Sequence, residues 1–295
     1  MDQAVFSGND TATGAGAALA AADRRLSATV DVLERLIVMG PSRCLDDETV
    51  ARVRALIGDL AVQAAGHDHA LIAPLHAMLA GNRAVLTHCQ ALAAEWHLAA
   101  AVAARLALDP VLPPLVQHHA ATMMDLIAAQ TRWFEAMRRM GLVPGDLPAD
   151  LHNLVQATAS AARADHAIAE SRTDRPDGDG GRGDGGRGDG GRLALLHHAI
   201  AGLGDDLDRA LRVDEAGVSL FFTALAIASG HPRETVVLAA VEDDPVRLAL
   251  LLCATGLSRD DVARQLLVLR PDADTALADS AHGALAAEAL LGAGR

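Results

Sequence analysis

The sequence predicts an all-α fold, a multi-helix array. Three observations predict it. Of all residues 51% are hydrophobic, and these are mostly Ala, Leu and Val, with four Phe, two Trp and no Tyr. Such a core is made of aliphatic helix formers, whereas strands draw on aromatic and β-branched side chains. Apolar residues recur at helical spacing between Gly and Pro breaks, segment after segment. No segment carries a convincing alternation of apolar and polar residues, the mark of a half-buried strand.

The elements follow in order. Residues 1–18 are rich in Gly, Ala, Ser and Thr and read as a disordered tail. Leu26, Val30, Leu33 and Ile37 then form one stripe, and Gly40-Pro41 stops that helix. Asp46 or Asp47 caps a second helix, with Val50, Val53, Ile57, Leu60 and Ala64 along its apolar face. A short helix spans Ala70 to Leu79, with Pro74 near its first turn, where proline is tolerated. Next comes a long helix with Val85, Cys89, Leu92, Trp96, Ala99, Ala103 and Leu106 on one face. It ends before Asp109-Pro110 and Pro113-Pro114. Val116, Ala120, Met123, Ile127, Phe134 and Met137 predict another long helix ending near Gly141, and a further one runs from about Pro148 to Glu170.

Residues 172–192 repeat the unit Gly-Asp-Gly-Gly-Arg, with equal numbers of Arg and Asp and no residue that builds a core. They read as a disordered linker. The Asp residues cancel the charge that an Arg-Gly-Gly tract needs to hold phosphate. The Arg-Gly-Asp tripeptides in the tract are adhesion signals only in extracellular proteins. The expected organisation is a tail (1–18), an N-terminal helical segment (19–171), the linker (172–192) and a C-terminal helical segment (193–295).

That last segment holds a short repeat. Ala228-Ser229-Gly230-His231-Pro232-Arg233-Glu234-Thr235-Val236 matches Ala254-Thr255-Gly256-Leu257-Ser258-Arg259-Asp260-Asp261-Val262, 26 residues later. In each copy Gly ends a helix by accepting a left-handed conformation. Pro232 or Ser258 then starts the next helix, and an acidic residue sits in its first turn, where the helix dipole favours it. After the second copy, Val262, Ala263, Leu266 and Leu267 are expected inward, and Arg259, Asp260, Arg264 and Gln265 outward. Helix pairs of this kind stack in HEAT-like, solenoid-like arrays.

Charge and composition exclude several activities. A net charge of −13 opposes bulk attraction to nucleic acid or anionic membrane. All 25 basic residues are Arg, which removes Schiff-base, lysine general-base and phosphate-loop lysine chemistry. Cys44, Cys89 and Cys253 are odd in number and far apart, as expected of thiols in a reducing compartment. The N-terminus lacks the basic start and apolar run of a secretory signal. The uncharged run Ala216–Pro232 is short for a membrane span and reads as a buried helix. A cytoplasmic location is the expectation.

Thirteen His residues invite a metal reading. A helical site wants ligands at i and i+3 or i+4, and no two His have that spacing. His118/His119 and His197/His198 are adjacent, and adjacent side chains diverge on a helix. His166/Glu170 and Asp279/His282 supply only two ligands each. The His67-Asp68 dipeptide lacks the upstream His of helical phosphohydrolases. Cys89 beside His88 lies on an apolar stripe and reads as packing, and no G-x-S-x-G is present. The sequence therefore assigns no catalytic, cofactor-binding or metal residue and predicts no enzyme.

Two stretches carry a resemblance. One runs from Asp214-Glu215-Ala216-Gly217 through Leu220-Phe221-Phe222-Thr223-Ala224-Leu225-Ala226 and Ala228-Ser229-Gly230 to Arg270-Pro271-Asp272. The other is Leu108-Asp109-Pro110-Val111-Leu112-Pro113-Pro114-Leu115. Together they resemble the bacterial domain-of-unknown-function family 2336 over most of residues 25–275. The resemblance implies an all-helical fold and transfers no catalytic residue.

The expected function is a non-enzymatic helical scaffold or protein-interaction module, regulatory in character, with a protein partner or a second copy of itself. Neither nucleic acid nor membrane is an expected partner. The alternative is a small-molecule sensor with an apolar pocket between helices. Trp96, Trp133, Phe134, Phe221 and Phe222 are the candidate pocket or core aromatics.

Overall fold

The computed structural model describes residues 16, 19–24, 27, 47–171 and 191–293. Among these the fold is all-α, with no strand. Most of the predicted tail, most of the first amphipathic helix with its Gly40-Pro41 stop, Cys44, Asp46 and the linker through residue 190 lie outside the described residues.

Two compact units emerge, and they do not follow the expected halves. The first takes the described residues of Met1–Thr29, Ala94–Thr122 and Ile200–Arg295; the second takes those of Val30–Ala93 and Met123–Ala199. Each unit therefore draws on chain from both sides of the predicted linker. That linker also ends earlier than its composition suggests. Arg192, read as its last residue, opens a helix and is 2% exposed.

In the second unit, α1 (Asp47–Ala65) packs on α2 (Ile72–Ala80) and on α6 (Ala149–Ser171). The α1 stripe includes Val53, Leu56 and Ile57, all fully buried, and shifts from the expected Ala64 to Ala61 and Ala65. A 3-10 turn, His69–Leu71, precedes α2. It is capped by Asp68, whose carboxylate accepts the Ala70 N–H at 3.1 Å. α3 (Arg83–Leu106) begins in this unit, capped by Asn82, which accepts from Ala84 and Val85 N–H at 3.0 and 3.2 Å. From Val85 to Glu95 nearly every α3 residue is buried, so its apolar stripe is wider than one face.

The long helix expected from Val116 to Gly141 is two helices, α4 (Pro114–His118) and α5 (Met124–Arg138). The chain leaves helical geometry at His119, with φ −100° and ψ 19°. A run of polar and small residues, His119 to Thr122, supplies few apolar anchors to carry the helix through. α7 (Arg192–Ala201) closes the second unit. Its Arg192 guanidinium lies 4.0 Å over the Trp133 ring, 3.6 Å from Asp146 and 3.1 Å from the Gln130 side-chain oxygen.

The first unit centres on α9 (Val213–Ser229), buried at Val213 and from Ala216 through Ala226. Around it lie α4, α8 (Leu207–Ala210), α10 (Arg233–Ala239), α11 (Val246–Ala254) and α12 (Arg259–Leu269). α13 (Ala276–Ala293) packs on α11 and α12. No single described helix is long and apolar enough to cross a membrane. α9 and α10 pass that test only as a pair, and they bend by 114°. The bend falls at Gly230, whose φ of 68° is left-handed, as is the 83° of Gly256 in the second copy of the repeat.

The two copies differ in what they bury. Arg233 turns inward to Glu95, whereas Arg259 is exposed beside Asp279 at 3.5 Å. Gln265, expected outward, is fully buried, and Leu267, expected inward, is 42% exposed. The reason is a cap at long range. The side-chain oxygen of Gln265 accepts the Val213 N–H at 2.8 Å, meeting a donor that a helix start leaves open.

Candidate functional site

Within the first unit, α11 and α13 do not close completely. Leu250, Leu251 and Ala254 of α11 face Ala284 and Leu285 of α13 across a cavity of about 360 Å³. Gly16 and Leu19 line it from the N-terminal segment, and His231, Thr235 and Arg247 are its polar contributors. The small side chains are the local cause. At Ala254 and Ala284 the helix surface lacks the volume that Leu supplies elsewhere in this core. Cavities of this size lie at the low end of small-molecule sites, which are mostly apolar with a few fixed polar groups.

The polar groups have defined roles. Arg247 is nearly buried and pairs with Asp23 at 2.6 Å and with Glu242 at 2.9 Å. One cation therefore faces two carboxylates, which leaves no positive charge to attract an anion. Arg270 holds the Glu242 backbone carbonyl from behind. His231 Nδ1 lies 2.8 Å from the Ser229 carbonyl, so that nitrogen carries the proton and donates, and Nε2 is the acceptor in the neutral ring. The Thr235 hydroxyl both donates and accepts.

None of the aromatics singled out from sequence lines this cavity. Trp133, Phe221 and Phe222 are fully buried core, and Trp96 and Phe134 are partly buried. Trp133 stands edge-on to Phe134 at 4.8 Å, and Phe221 lies 5.5 Å from Phe222. What sequence reasoning missed was the α11–α13 pair, whose signal is only a run of small residues.

The reactive residues are placed as follows. Cys89 is fully buried, and burial pushes its thiol up to about 12. Cys253 sits 3.1 Å from His282 Nδ1, and burial pushes its thiol up to about 11. Both are poor nucleophiles in that state. His282 also contacts the Ala278 and Leu257 carbonyls at 2.9 and 3.1 Å, and Asp279 pairs instead with Arg259. His67 is exposed, and its neighbour Asp68 serves as a helix cap. Among the described residues the fold brings together one trio able to hold a metal ion: His118, His119 and Asp206, whose ligand atoms lie within 4.8 Å of one another. The Asp206 carboxyl is held below its usual range by hydrogen bonds from His119 and then Arg209.

No family model, curated protein or solved structure matches this chain.

Proposed function

We propose that this chain is a non-enzymatic helical binding module, regulatory in character, whose first unit takes a small, neutral, largely apolar molecule between α11 and α13. The carrying observation is the cavity lined by Leu19, Leu250, Leu251, Ala254, Ala284 and Leu285. Its only arginine, already paired with Asp23 and Glu242, supports a neutral ligand over a carboxylate or phosphate. His231 and Thr235 suit a hydroxyl or amide at one end of that molecule. The net charge of −13 supports neither nucleic acid nor membrane as a partner. The buried thiols of Cys89 and Cys253 agree with a cytoplasmic setting.

Titration with phenylnaphthylamine, a neutral apolar fluorophore, tests this reading. The wild type is expected to give saturable enhancement at one site. Ala254→Phe, at an exposed lining position, is expected to abolish it without moving the thermal midpoint. Enhancement that never saturates, or that persists unchanged in Ala254→Phe, sinks the reading.

A scaffold that engages a protein partner or a second copy is the second reading. Its support is the pair of helical hairpins α9–α10 and α11–α12, the kind of unit that stacks in helical repeat proteins. Light scattering that returns a monomer at every concentration counts against self-association.

A further inference from the structure

Two imidazoles and a carboxylate converge where α4 ends. On a continuous helix His118 and His119 point about 100° apart. Here α4 stops at His118, and the non-helical His119 brings the two rings to 4.9 Å, nearly perpendicular. Asp206 arrives from 87 residues away on the 3-10 turn Gly204–Asp206, which Gly204 enters with a φ of 54°. Its Oδ2 lies 2.8 Å from His119 Nε2 and 4.0 Å from His118 Nε2.

We propose that His118, His119 and Asp206 form a binding site for a borderline transition-metal dication, with Zn²⁺ as the first case. Zinc takes imidazole nitrogen and carboxylate oxygen at about 2.0–2.2 Å, which in a tetrahedron spaces ligand atoms about 3.3 Å apart. The two separations from Asp206 Oδ2, 2.8 and 4.0 Å, bracket that value and all the ligand atoms lie within 4.8 Å of one another, so seating an ion needs side-chain shifts on the order of 1 Å. Two imidazoles select against Mg²⁺ and Ca²⁺, which take oxygen ligands.

The carboxylate is already oriented for the task. Arg209 donates to Oδ1 of Asp206 at 3.2 Å, leaving Oδ2 turned to the histidines. Arg209 is itself held by Glu215, whose second oxygen takes Arg212 at 3.4 Å. Such outer partners fix the direction of a metal-binding carboxylate. The His118 side chain is 63% exposed, so water has access to complete the coordination.

The test uses the full, untagged chain after chelator treatment. Calorimetric titration with Zn²⁺ is expected to show one equivalent bound, and Co²⁺ is expected to give the visible bands of a four-coordinate nitrogen and oxygen site. His118→Ala, at an exposed position, is expected to remove both signals while leaving the metal-free melting midpoint unchanged. Arg209→Ala, which touches no metal in this scheme, is expected to weaken binding by about tenfold. Two outcomes overturn the proposal. One is no saturable binding of either ion. The other is binding and cobalt spectra that His118→Ala leaves unchanged, which places the ion on other histidines.

Discussion

Arg233 grips Glu95 through two parallel hydrogen bonds of 2.9 and 2.7 Å, with the carboxylate fully buried and the guanidinium 11% exposed. The fork also reaches the Thr223 hydroxyl at 3.1 Å and the Ser219 carbonyl at 3.4 Å. It joins α3 to the α9–α10 turn through groups largely withdrawn from water. A buried pair of this kind is costly to break from one side, because the remaining charge is left without its partner. Arg233→Ala is expected to destabilise the fold by about 3–5 kcal/mol. The double variant Glu95→Met with Arg233→Met is expected to lose much less, since both charges leave together. Urea unfolding of the three proteins checks this. Equal losses in the single and double variants would falsify the coupling.

Arg192 makes a parallel case in the second unit. Its guanidinium stacks on Trp133 and stands 3.6 Å from Asp146, which is 2% exposed. Arg192→Lys keeps the charge but loses the planar fork and the stacking. It is expected to be destabilised by about 1–3 kcal/mol, and Trp fluorescence should report loosened packing around Trp133. Wild-type stability in Arg192→Lys contradicts the stacking account.

These two arginines show what the sequence made legible and what it hid. Helical periodicity located α1, α2, α3 and α6, because it depends only on residues three and four apart. The pattern merged α4 with α5, since Val116, Met123 and Ile127 keep helical phase across a break whose cause is local. It placed Arg192 in a linker, because composition carries no information about the distant Trp133. It turned Gln265 outward, because a polar residue on a helix reads as solvated until its partner, the Val213 N–H, is known. The same reason hid Asp206 from His118 and His119. Apart from the α4–α5 break, these misses are contacts between residues far apart in sequence, and single-sequence patterns do not encode those.

Ser258 and Asp261 form a reciprocal cap at the start of α12. The Ser258 oxygen accepts the Asp261 N–H at 3.2 Å, and its hydroxyl donates to the Asp261 carboxylate at 2.6 Å. Ser258→Ala is expected to cost about 1 kcal/mol. The hydrogen bond from Ser258, followed by the charges of Arg264 and Arg212, holds the Asp261 carboxyl below its usual range. A depressed native pKa gives stability that is complete above the unfolded value of about 3.9 and fades as pH falls through the native one. The gap between wild type and Ser258→Ala is therefore expected to narrow in acid. Unfolding curves across that range, with carboxyl NMR of Asp261, check it; a gap independent of pH counts against the cap.

Thiol chemistry gives a per-site test of burial. With the Cys89 thiol pushed up to about 12, its thiolate fraction near neutral pH falls on the order of a thousandfold below that of a free thiol. Iodoacetamide is expected to leave Cys89 unmodified in the native protein and to label it fully in urea. Cys253, pushed up to about 11, is expected to be slow as well. Peptide mass spectrometry reads each site separately. Rapid native labelling of Cys89 would mean that α3 opens.

Gly217 of α9 meets Pro113 at the start of α4. Inside α9 its backbone takes φ 69° and ψ 165°, a region open essentially to glycine alone. A Cβ there would also stand 3.0 Å from Pro113 Cγ. Gly217→Ala thus carries two separable costs, a backbone one of about 1–3 kcal/mol and a steric one. Pro113→Ala removes the ring atom nearest that Cβ and leaves the backbone conformation in force. Combining the two is therefore expected to recover only part of the loss. Full recovery would assign the whole requirement to the proline ring, and no recovery would assign it to the backbone. Thermal unfolding of the four-protein cycle separates these, because the coupling energy measures only what the two side chains share.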